Sequence, residues 1–238
     1  MISESVTVKN IHKFAVSNSL RDDLMRQSND MYLMWKVCEY FQPNSLLEIG
    51  FFAGQTFGLL MESAPVNAKY VSVDIDYSRR HVFDQLHQHN PKIKNIDFLE
   101  IDSADFVWDG PNFDFVHIDG NKMQVIADLS NCLTLLHHNS ILCMDDYPMN
   151  EVDEAIMEHL LGQHDFVPFL AGDQEMFFHH VSHSADVFLD EWIQDRARNF
   201  MHFSNIDFHG FTILRANTPE IFVANMDMWQ QALKFYNL

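Results

Sequence analysis

The chain has 238 residues, of which 47% are hydrophobic and 13% aromatic. A chain of this size and composition can bury a substantial core, which excludes a disordered or fibrous protein. Its 34 acidic residues outnumber its 15 Lys and Arg residues, and the net charge of -19 excludes the basic surface on which nucleic-acid binding depends. No apolar run approaches the length of a membrane span, so we expect neither nucleic acid nor a membrane as a partner.

Three isolated cysteines, Cys38, Cys132 and Cys143, lie in apolar segments. They form neither a Cys-x-x-Cys motif nor the framework of a disulfide-rich protein, which is typical of a reducing compartment. Residues 1–5 lack the basic start and the apolar stretch of an export signal. We therefore expect a cytoplasmic protein.

The first predicted element is a helix, with a capping box at Ser19 and Asp22 and an end before Pro43. Beyond it, apolar runs alternate with helical segments, as in a parallel sheet built from βα units. The runs are almost continuously apolar, which indicates strands covered by helices on both faces. Five strands are predicted, at residues 45–49, 70–73, 96–101, 113–118 and 140–144.

The segment after the fifth strand predicts a helix from Glu151 to Gly162, followed by an antiparallel hairpin with strands at 166–170 and 175–178. Together with the five preceding strands, these two make seven. The predicted fold class is α/β, a Rossmann-like three-layer sandwich with a mostly parallel seven-stranded sheet and an antiparallel strand at one end.

No repeat or flexible linker divides the chain, so we expect one domain over residues 1–238. It comprises an N-terminal helical segment (1–44), a core (45–180) and a partly helical C-terminal extension (181–238). Within the extension, 185–199 and 225–236 have helical patterns, and the stretch between them is rich in Phe, His and Asn without a clear period. We interpret the extension as a cap or an interface, and as a candidate surface for homo-oligomer formation.

Each of the five predicted strands of the core ends at a carboxylate. A single Asp at a strand end more often caps a helix or shapes a turn than binds a ligand. However, ligands of open α/β sheets bind beyond the carboxyl ends of the strands, where all of these side chains would meet. The recurrence therefore indicates a binding site formed by Glu48, Asp74, Asp102, Asp119 and the pair Asp145–Asp146.

A glycine-containing turn follows the first strand. Gly50 and Gly54 stand in it, although the whole chain has only 8 glycines, so the backbone there is expected to approach a ligand closely. The turn is not the Gly-x-Gly-x-x-Gly motif of dinucleotide-binding proteins, because Phe52 and Gln55 occupy the second and third glycine positions. This departure disfavours a nicotinamide-dependent dehydrogenase.

The turn, with Glu48 before it and Asp74 at the next strand end, resembles motif I of the class I S-adenosylmethionine-dependent methyltransferases. The resemblance implies that Asp74 accepts the ribose hydroxyls, with Asp76 as a rival, and that Asp102–Ser103 holds the adenine amino group. The start of the following helix, at Gln55 and Thr56, would receive the methionine carboxylate. The implied cofactor contacts are Glu48, Gly50, Phe51, Gly54, Gln55, Thr56, Asp74, Ile75, Asp102, Ser103 and Asp119.

Residues 115–122 and 143–147 narrow the resemblance to the cation-dependent O-methyltransferases of the catechol or caffeoyl-coenzyme A type and the macrocin type. Those enzymes bind a divalent cation through an Asp after the fourth strand and an Asp–Asp or Asp–Asn pair after the fifth. The resemblance therefore implies Asp119, Asp145 and Asp146 as metal ligands, and such hard oxygen donors suit Mg²⁺. A cation there lowers the pKa of an acceptor hydroxyl and directs its oxygen towards the sulfonium methyl group.

Lys122 matches the lysine that acts as general base in the catechol-type enzymes, and the alternative is an ordinary solvated lysine at a helix start. The resemblance implies Mg²⁺-dependent O-methylation of a small hydroxylated acceptor, with Lys122 and Asp119 as catalytic residues. The alternative function is a non-catalytic binding protein that keeps the methyltransferase fold and uses its aromatic C-terminal extension as an interaction surface.

Overall fold

The computed structural model describes residues 28–52, 54–76, 80–89, 94–161, 165–180 and 202–217. The predicted capping box at Ser19 and Asp22 and the predicted helices at 185–199 and 225–236 lie outside these ranges. Among the described helices, none is long and apolar enough to cross a bilayer.

The described helices and strands alternate along most of the chain. The helices are α1 (Ser28–Phe41), α2 (Gln55–Ser63), α3 (Arg80–His89), α4 (Val125–Leu133) and α5 (Asn150–Ala155), which continues as a π-helical turn, Ile156–Leu160. Short 3-10 turns occur at Ser103–Asp105 and Lys122–Gln124. The strands are β1 (Ser45–Ile49), β2 (Lys69–Asp74), β3 (Asn95–Glu100), β4 (Phe113–Ile118), β5 (Leu136–Met144), β6 (Phe166–Ala171), β7 (Met176–His180), β8 (His202–Phe208) and β9 (Phe211–Asn217).

The strands form one sheet in the order β3-β2-β1-β4-β5-β7-β6-β9-β8. The first five in this order are parallel, and β7 runs antiparallel between β5 and β6. The chain order reverses between β1 and β4, the position at which open α/β sheets bind ligands. The predicted Rossmann-like arrangement, mostly parallel with an antiparallel strand, is confirmed.

The sheet extends beyond the seven predicted strands by the hairpin β8–β9. Strand β9 pairs in parallel with β6 through Leu170 with Leu214 and Ala171 with Arg215, and β8 pairs antiparallel with β9. Only Ile213 and Ala216 of β9 are buried, so the sequence lacks the apolar run that signals an interior strand. Part of the C-terminal extension therefore belongs to the sheet.

Successive residues of each central strand pack against opposite helical layers. On β1, Leu46 belongs to the cluster formed with α1, α2 and α3, whereas Leu47 belongs to the cluster formed with α4 and α5. Both side chains are 0% exposed, and burial of each stabilises the fold by about 1.5–3 kcal/mol. This two-sided burial explains why the central strands are largely apolar and why the sandwich has three layers.

Candidate cofactor and metal site

A cleft of about 290 Å³ lies beyond the carboxyl ends of β1, β2 and β4, where the strand order reverses. Its walls come from the loops that follow β1, β2, β3 and β4. The lining residues are Ile49, Gly50, Phe52, Val73, Asp74, Ile75, Ile101, Asp102, Ser103, Asp119, Gly120, Asn121 and Gln124.

The glycine turn depends on a backbone conformation and a close approach that other residues do not tolerate. Gly50 has φ +93, and a β-carbon there would overlap the carbonyl oxygen of Asp119. Its amide donates to the carbonyl of Val73 at 2.9 Å, and the Asp119 amide donates to the carbonyl of Ile49 at 2.8 Å. The turn is thereby held between β2 and β4, and its backbone forms part of the cleft wall.

Asp74, at the end of β2, fixes the shape of this turn. Its Oδ2 accepts hydrogen bonds from the amides of Phe51 at 2.9 Å and Phe52 at 2.8 Å, and its Oδ1 accepts from the Asp76 amide at 2.8 Å. Phe52 has a positive φ of 44, which is unfavourable for a side-chain-bearing residue, and its bond to Asp74 offsets that strain. The carboxylate lines the cleft and organises the loop around it.

The far wall of the cleft is organised by two Asx-type caps. Asp102 accepts from the Ala104 amide at 3.0 Å and Asn121 from the Met123 amide at 3.1 Å, and each begins a 3-10 turn. The Gln124 side chain reaches back to Asp102, with Nε2 3.4 Å from Oδ1. These contacts connect the loop after β3 to the loop after β4 on one side of the cleft.

Three carboxylates meet beside the cleft at the ends of β4 and β5. Ligand oxygens of Asp119, Asp145 and Asp146 all lie within 4.8 Å of one another, and we call these three residues the acidic cluster. The Asp145 amide donates to the carbonyl of Ile118 at 3.0 Å, which continues the β4–β5 pairing into the cluster. Asp146 has a left-handed φ of 57.

The ammonium of Lys122 lies among the three carboxylates. Nζ is 3.0 Å from Asp119 Oδ1, 3.8 Å from Asp145 Oδ2 and 3.2 Å from Asp146 Oδ2. Burial acts to lower the Lys122 pKa, but the negative charges of the acidic cluster outweigh it and raise the pKa above the ordinary 10.5. The cluster therefore already attracts and holds one cation, supplied by the chain itself.

Residues 47–147 match the family model described as a methyltransferase domain. The matched segment runs from β1 to the loop after β5 and therefore includes both the cleft and the acidic cluster. No curated protein matches this sequence at a significant level.

Solved structures of methyltransferases share the fold of this chain. The O-methyltransferase TomG from Streptomyces achromogenes, solved in complex with SAM, is 17% identical over 77% of this chain and 92% of its own, with a TM-score of 0.59. An O-methyltransferase from Bacillus cereus in complex with SAH is 14% identical over 76% and 93%, with a TM-score of 0.60. An SAH-bound methyltransferase from Podospora anserina is 14% identical over 76% and 89%, with a TM-score of 0.64.

Several residues implied as cofactor contacts line the cleft, and others lie beneath it. Gly50, Asp74, Ile75, Asp102, Ser103 and Asp119 are in the lining, whereas Glu48, Phe51, Gly54 and Thr56 are buried and outside it.

Two of the buried residues have clear local partners. The Glu48 carboxylate accepts a hydrogen bond from the Ser72 hydroxyl at 2.8 Å inside the sheet, and the Phe51 ring packs edge-on against Phe57 and Phe98. Gln55 begins α2. The side chains of Glu48 and Phe51 thus lie below the glycine turn and support it.

Sequence reasoning missed Asn121 and Gln124 in the cleft wall and Tyr147 next to the acidic cluster. Asn121 carries a weak signal, because an Asn followed by a short helical turn is a typical cap. Tyr147 is fixed from two sides: its amide donates to the carbonyl of Gln174 at 3.0 Å, and its ring meets Phe208 of β8 with centroids 6.0 Å apart. The second contact depends on a hairpin that the sequence did not predict.

Proposed function

We propose that this protein is an S-adenosylmethionine-dependent O-methyltransferase that methylates a small hydroxylated acceptor with the help of a divalent cation, Mg²⁺. One observation carries the proposal: Asp119 lines the cleft and also belongs to the acidic cluster. Direct methyl transfer needs donor and acceptor atoms about 3–3.5 Å apart before reaction. A donor bound in the cleft and an acceptor bound at the acidic cluster would therefore both lie next to Asp119, close to each other.

The cleft has the features that a nucleoside-containing donor requires. The Gly50 turn exposes backbone at close range, and Asp74 and Asp102 supply carboxylate oxygens to hydroxyl and amino groups. The solved O-methyltransferases described above are bound to SAM or SAH. We therefore assign the cleft to S-adenosylmethionine, with Gly50, Asp74, Ile75, Asp102 and Ser103 as contacts.

The acidic cluster fits a hard divalent cation. Its donors are all carboxylate oxygens, which Mg²⁺ prefers to nitrogen or sulfur, and they already converge within 4.8 Å. With Lys122 in place, the three carboxylates still leave a formal excess of two negative charges, which matches one divalent cation. When bound, the cation would act as a Lewis acid that lowers the pKa of the acceptor hydroxyl.

Lys122 and Asp119 are the residues we assign to proton handling and orientation. In the absence of a cation, the raised pKa keeps Lys122 protonated, so it serves as a counter-charge. Neutralisation of the acidic cluster would weaken the attraction that raises this pKa, because Asp119, Asp145 and Asp146 are its source. Nζ could then receive the acceptor proton, while the Asp119 carboxylate orients the acceptor between donor and lysine.

Linked binding tests the proposal directly. S-adenosylmethionine and Mg²⁺ are added separately and together to the purified protein, with and without chelator, and thermal unfolding is followed. Ligand at 100 times its dissociation constant should stabilise the folded state by about 2.7 kcal/mol. Mass spectrometry of a panel of catechols and hydroxylated sugars then detects a methylated product.

A charge-matched pair of variants provides the control. Asp145→Asn should lose the effect of Mg²⁺ and keep that of S-adenosylmethionine, whereas Asp109→Asn, an exposed residue outside the cleft and the acidic cluster, should keep both. Absence of any stabilisation by S-adenosylmethionine would contradict the proposal as a whole. Stabilisation by the donor without any effect of Mg²⁺ would contradict only the proposed cation site.

A further inference from the structure

A second group of potential metal ligands lies inside the sheet. His117 of β4, Cys143 of β5 and Glu175, directly before β7, are each 0% exposed. His117 and Cys143 are register partners in the parallel pair β4–β5, and Cys143 is paired with Phe177 of β7. Two neighbouring strands and the residue that precedes a third thus bring an imidazole, a thiol and a carboxylate together in the core.

The three side chains converge on a small volume. Cys143 Sγ is 3.3 Å from Glu175 Oε2, His117 Nε2 is 3.8 Å from Glu175 Oε1, and one ligand atom of each residue lies within 4.8 Å of the others. Metal–ligand distances of about 2.0–2.3 Å in a tetrahedral zinc site place neighbouring ligands about 3.3–3.8 Å apart. The two separations fall in that range, so little movement would be needed to coordinate an ion.

The donor types select a class of metal. A thiolate and an imidazole are ligands of Zn²⁺ and related transition metals, whereas Mg²⁺ prefers oxygen alone. One oxygen of Glu175 is turned towards His117 and the other towards Cys143, so a bidentate Glu175 would complete four donor atoms. A thiolate and a carboxylate also neutralise a divalent ion, which lowers the cost of burying its charge.

The backbone that carries Glu175 is held in place independently of the three ligands. Asp30 of α1 accepts hydrogen bonds at Oδ1 from the amides of Asp173 at 2.7 Å, Gln174 at 3.1 Å and Glu175 at 3.3 Å. A β-carbon on Gly172 would overlap this same oxygen, so the turn fits closely against Asp30. Preorganisation of a ligand by surrounding contacts is typical of metal sites.

The group is separate from the acidic cluster. His117 precedes Asp119 by two residues and Cys143 precedes Asp145 by two, which corresponds to about 7 Å along each strand. The acidic cluster is partly exposed and has oxygen donors only, whereas the buried group is closed and includes sulfur and nitrogen.

We propose that His117, Cys143 and Glu175 bind a structural Zn²⁺ ion that ties β4, β5 and the start of β7 together beneath the acidic cluster. Binding releases the thiol proton of Cys143 to solvent and leaves the thiolate on the metal. This site does not depend on methyl transfer.

Cobalt substitution tests the site, because Co²⁺ bound to a thiolate gives a sulfur-to-metal charge-transfer band and an intense visible spectrum when tetrahedral. The full chain is produced in medium supplemented with Zn²⁺ or Co²⁺, freed of loosely bound metal with chelator, and its metal content and absorption spectrum are measured. We expect about one tightly held equivalent of metal and a thiolate band. Metal-free protein, or a cobalt spectrum without the thiolate band, overturns the proposal.

The other two cysteines provide matched controls. Cys38→Ala/Cys132→Ala leaves Cys143 as the only thiol of the chain and should keep both the metal and the band, whereas Cys143→Ala should lose the band. Asp145→Asn, which alters the acidic cluster, should retain the buried metal. If Cys143→Ala does not fold, the double variant still decides: loss of its thiolate band assigns the sulfur to another cysteine and overturns the proposal.

Discussion

Gly50 passes so close to Asp119 that the carbonyl oxygen of Asp119 occupies the space that a β-carbon of residue 50 would need. The two residues directly follow the neighbouring parallel strands β1 and β4, and Asp119 belongs to the acidic cluster. The donor cleft and the acidic cluster therefore share a backbone contact. A change in one is transmitted to the other without an intervening side chain.

The first prediction concerns this contact. Gly50→Ala should abolish S-adenosylmethionine binding, because the added methyl group displaces the loop that carries Asp119. Mg²⁺ binding should also weaken, because Asp119 is one of the three carboxylates of the acidic cluster. Calorimetric titration with each ligand measures both effects.

Gly210→Ala is the matched control for Gly50→Ala. Gly210 has a similar positive φ of 86, but a β-carbon there meets nothing within 4 Å. It should lose about 1–2 kcal/mol of unfolding free energy from backbone strain alone and keep ligand binding. Equal effects of the two variants on donor affinity would show that strain, rather than the contact with Asp119, is responsible.

The second prediction separates two roles of Asp74. Asp74 accepts hydrogen bonds from the backbone amides of Phe51 and Phe52. Asp74→Ala should therefore lower the free energy of unfolding of the ligand-free protein by about 1–3 kcal/mol. It should also weaken donor binding. Urea denaturation of the ligand-free protein, compared with the exposed Asp109→Ala, measures this. An unchanged unfolding free energy together with lost donor affinity would assign Asp74 to the ligand alone.

The third prediction is a pH dependence that originates at Asp30. Burial raises its pKa from 3.8 to about 6, although three backbone amides favour the charged form. Between these values the folded state retains a proton that the unfolded state has lost. The contribution of Asp30 to stability is therefore fully present below about pH 4 and declines as pH rises to about 6.

Asp30→Asn isolates this contribution, since it cannot ionise and keeps a carbonyl oxygen for the same amides. The unfolding free energy of Asp30→Asn minus that of the wild type should increase by on the order of 2 kcal/mol as pH rises from about 4 to 7. Urea denaturation across this range measures the difference, with Asp109→Asn as control. A difference that is constant with pH would show that the Asp30 pKa is not raised.

The fourth prediction concerns Lys122, whose ammonium stands among the three carboxylates of the acidic cluster. Lys122→Met should increase Mg²⁺ affinity, because the cation no longer competes with an internal charge, and should lower methyl transfer if Nζ is the base. Mg²⁺ titration and a methyl-transfer rate measured across pH separate the two effects. Lys94→Met, at an exposed position, is the control. Weaker Mg²⁺ binding in Lys122→Met would show that Lys122 does not compete with Mg²⁺ for the acidic cluster.

The parts of the fold that sequence reasoning found are those with a local signal. The central core strands are largely apolar because successive residues, such as Leu46 and Leu47, are buried on opposite faces, whereas the edge strand β3 is mostly exposed or half-buried. The turn at Gly50 was visible because glycine is scarce and recurs there. The strand-end carboxylates were visible because parallel strands bring their carboxyl ends to one edge.

The parts that it missed depend on residues far apart in the chain. Strand β9 joins the sheet through Leu170 with Leu214, and its half-exposed edge position leaves no apolar run. Glu48 was predicted as a cofactor contact from its position, and no local pattern indicated its hydrogen bond with Ser72 of β2. The approach of Glu175 to His117 follows from the antiparallel return of β7, which no local pattern encodes.

The ammonium of Lys122 is a counter-charge inside the acidic cluster, and it determines how the protein behaves when metal is scarce. Three carboxylates forced together without a counter-charge would repel one another and open the loops that carry them. With the ammonium in their midst, the loops can keep their shape while no divalent ion is available. Under the proposed dependence on Mg²⁺, a change in metal supply would alter the activity without altering the amount of folded protein.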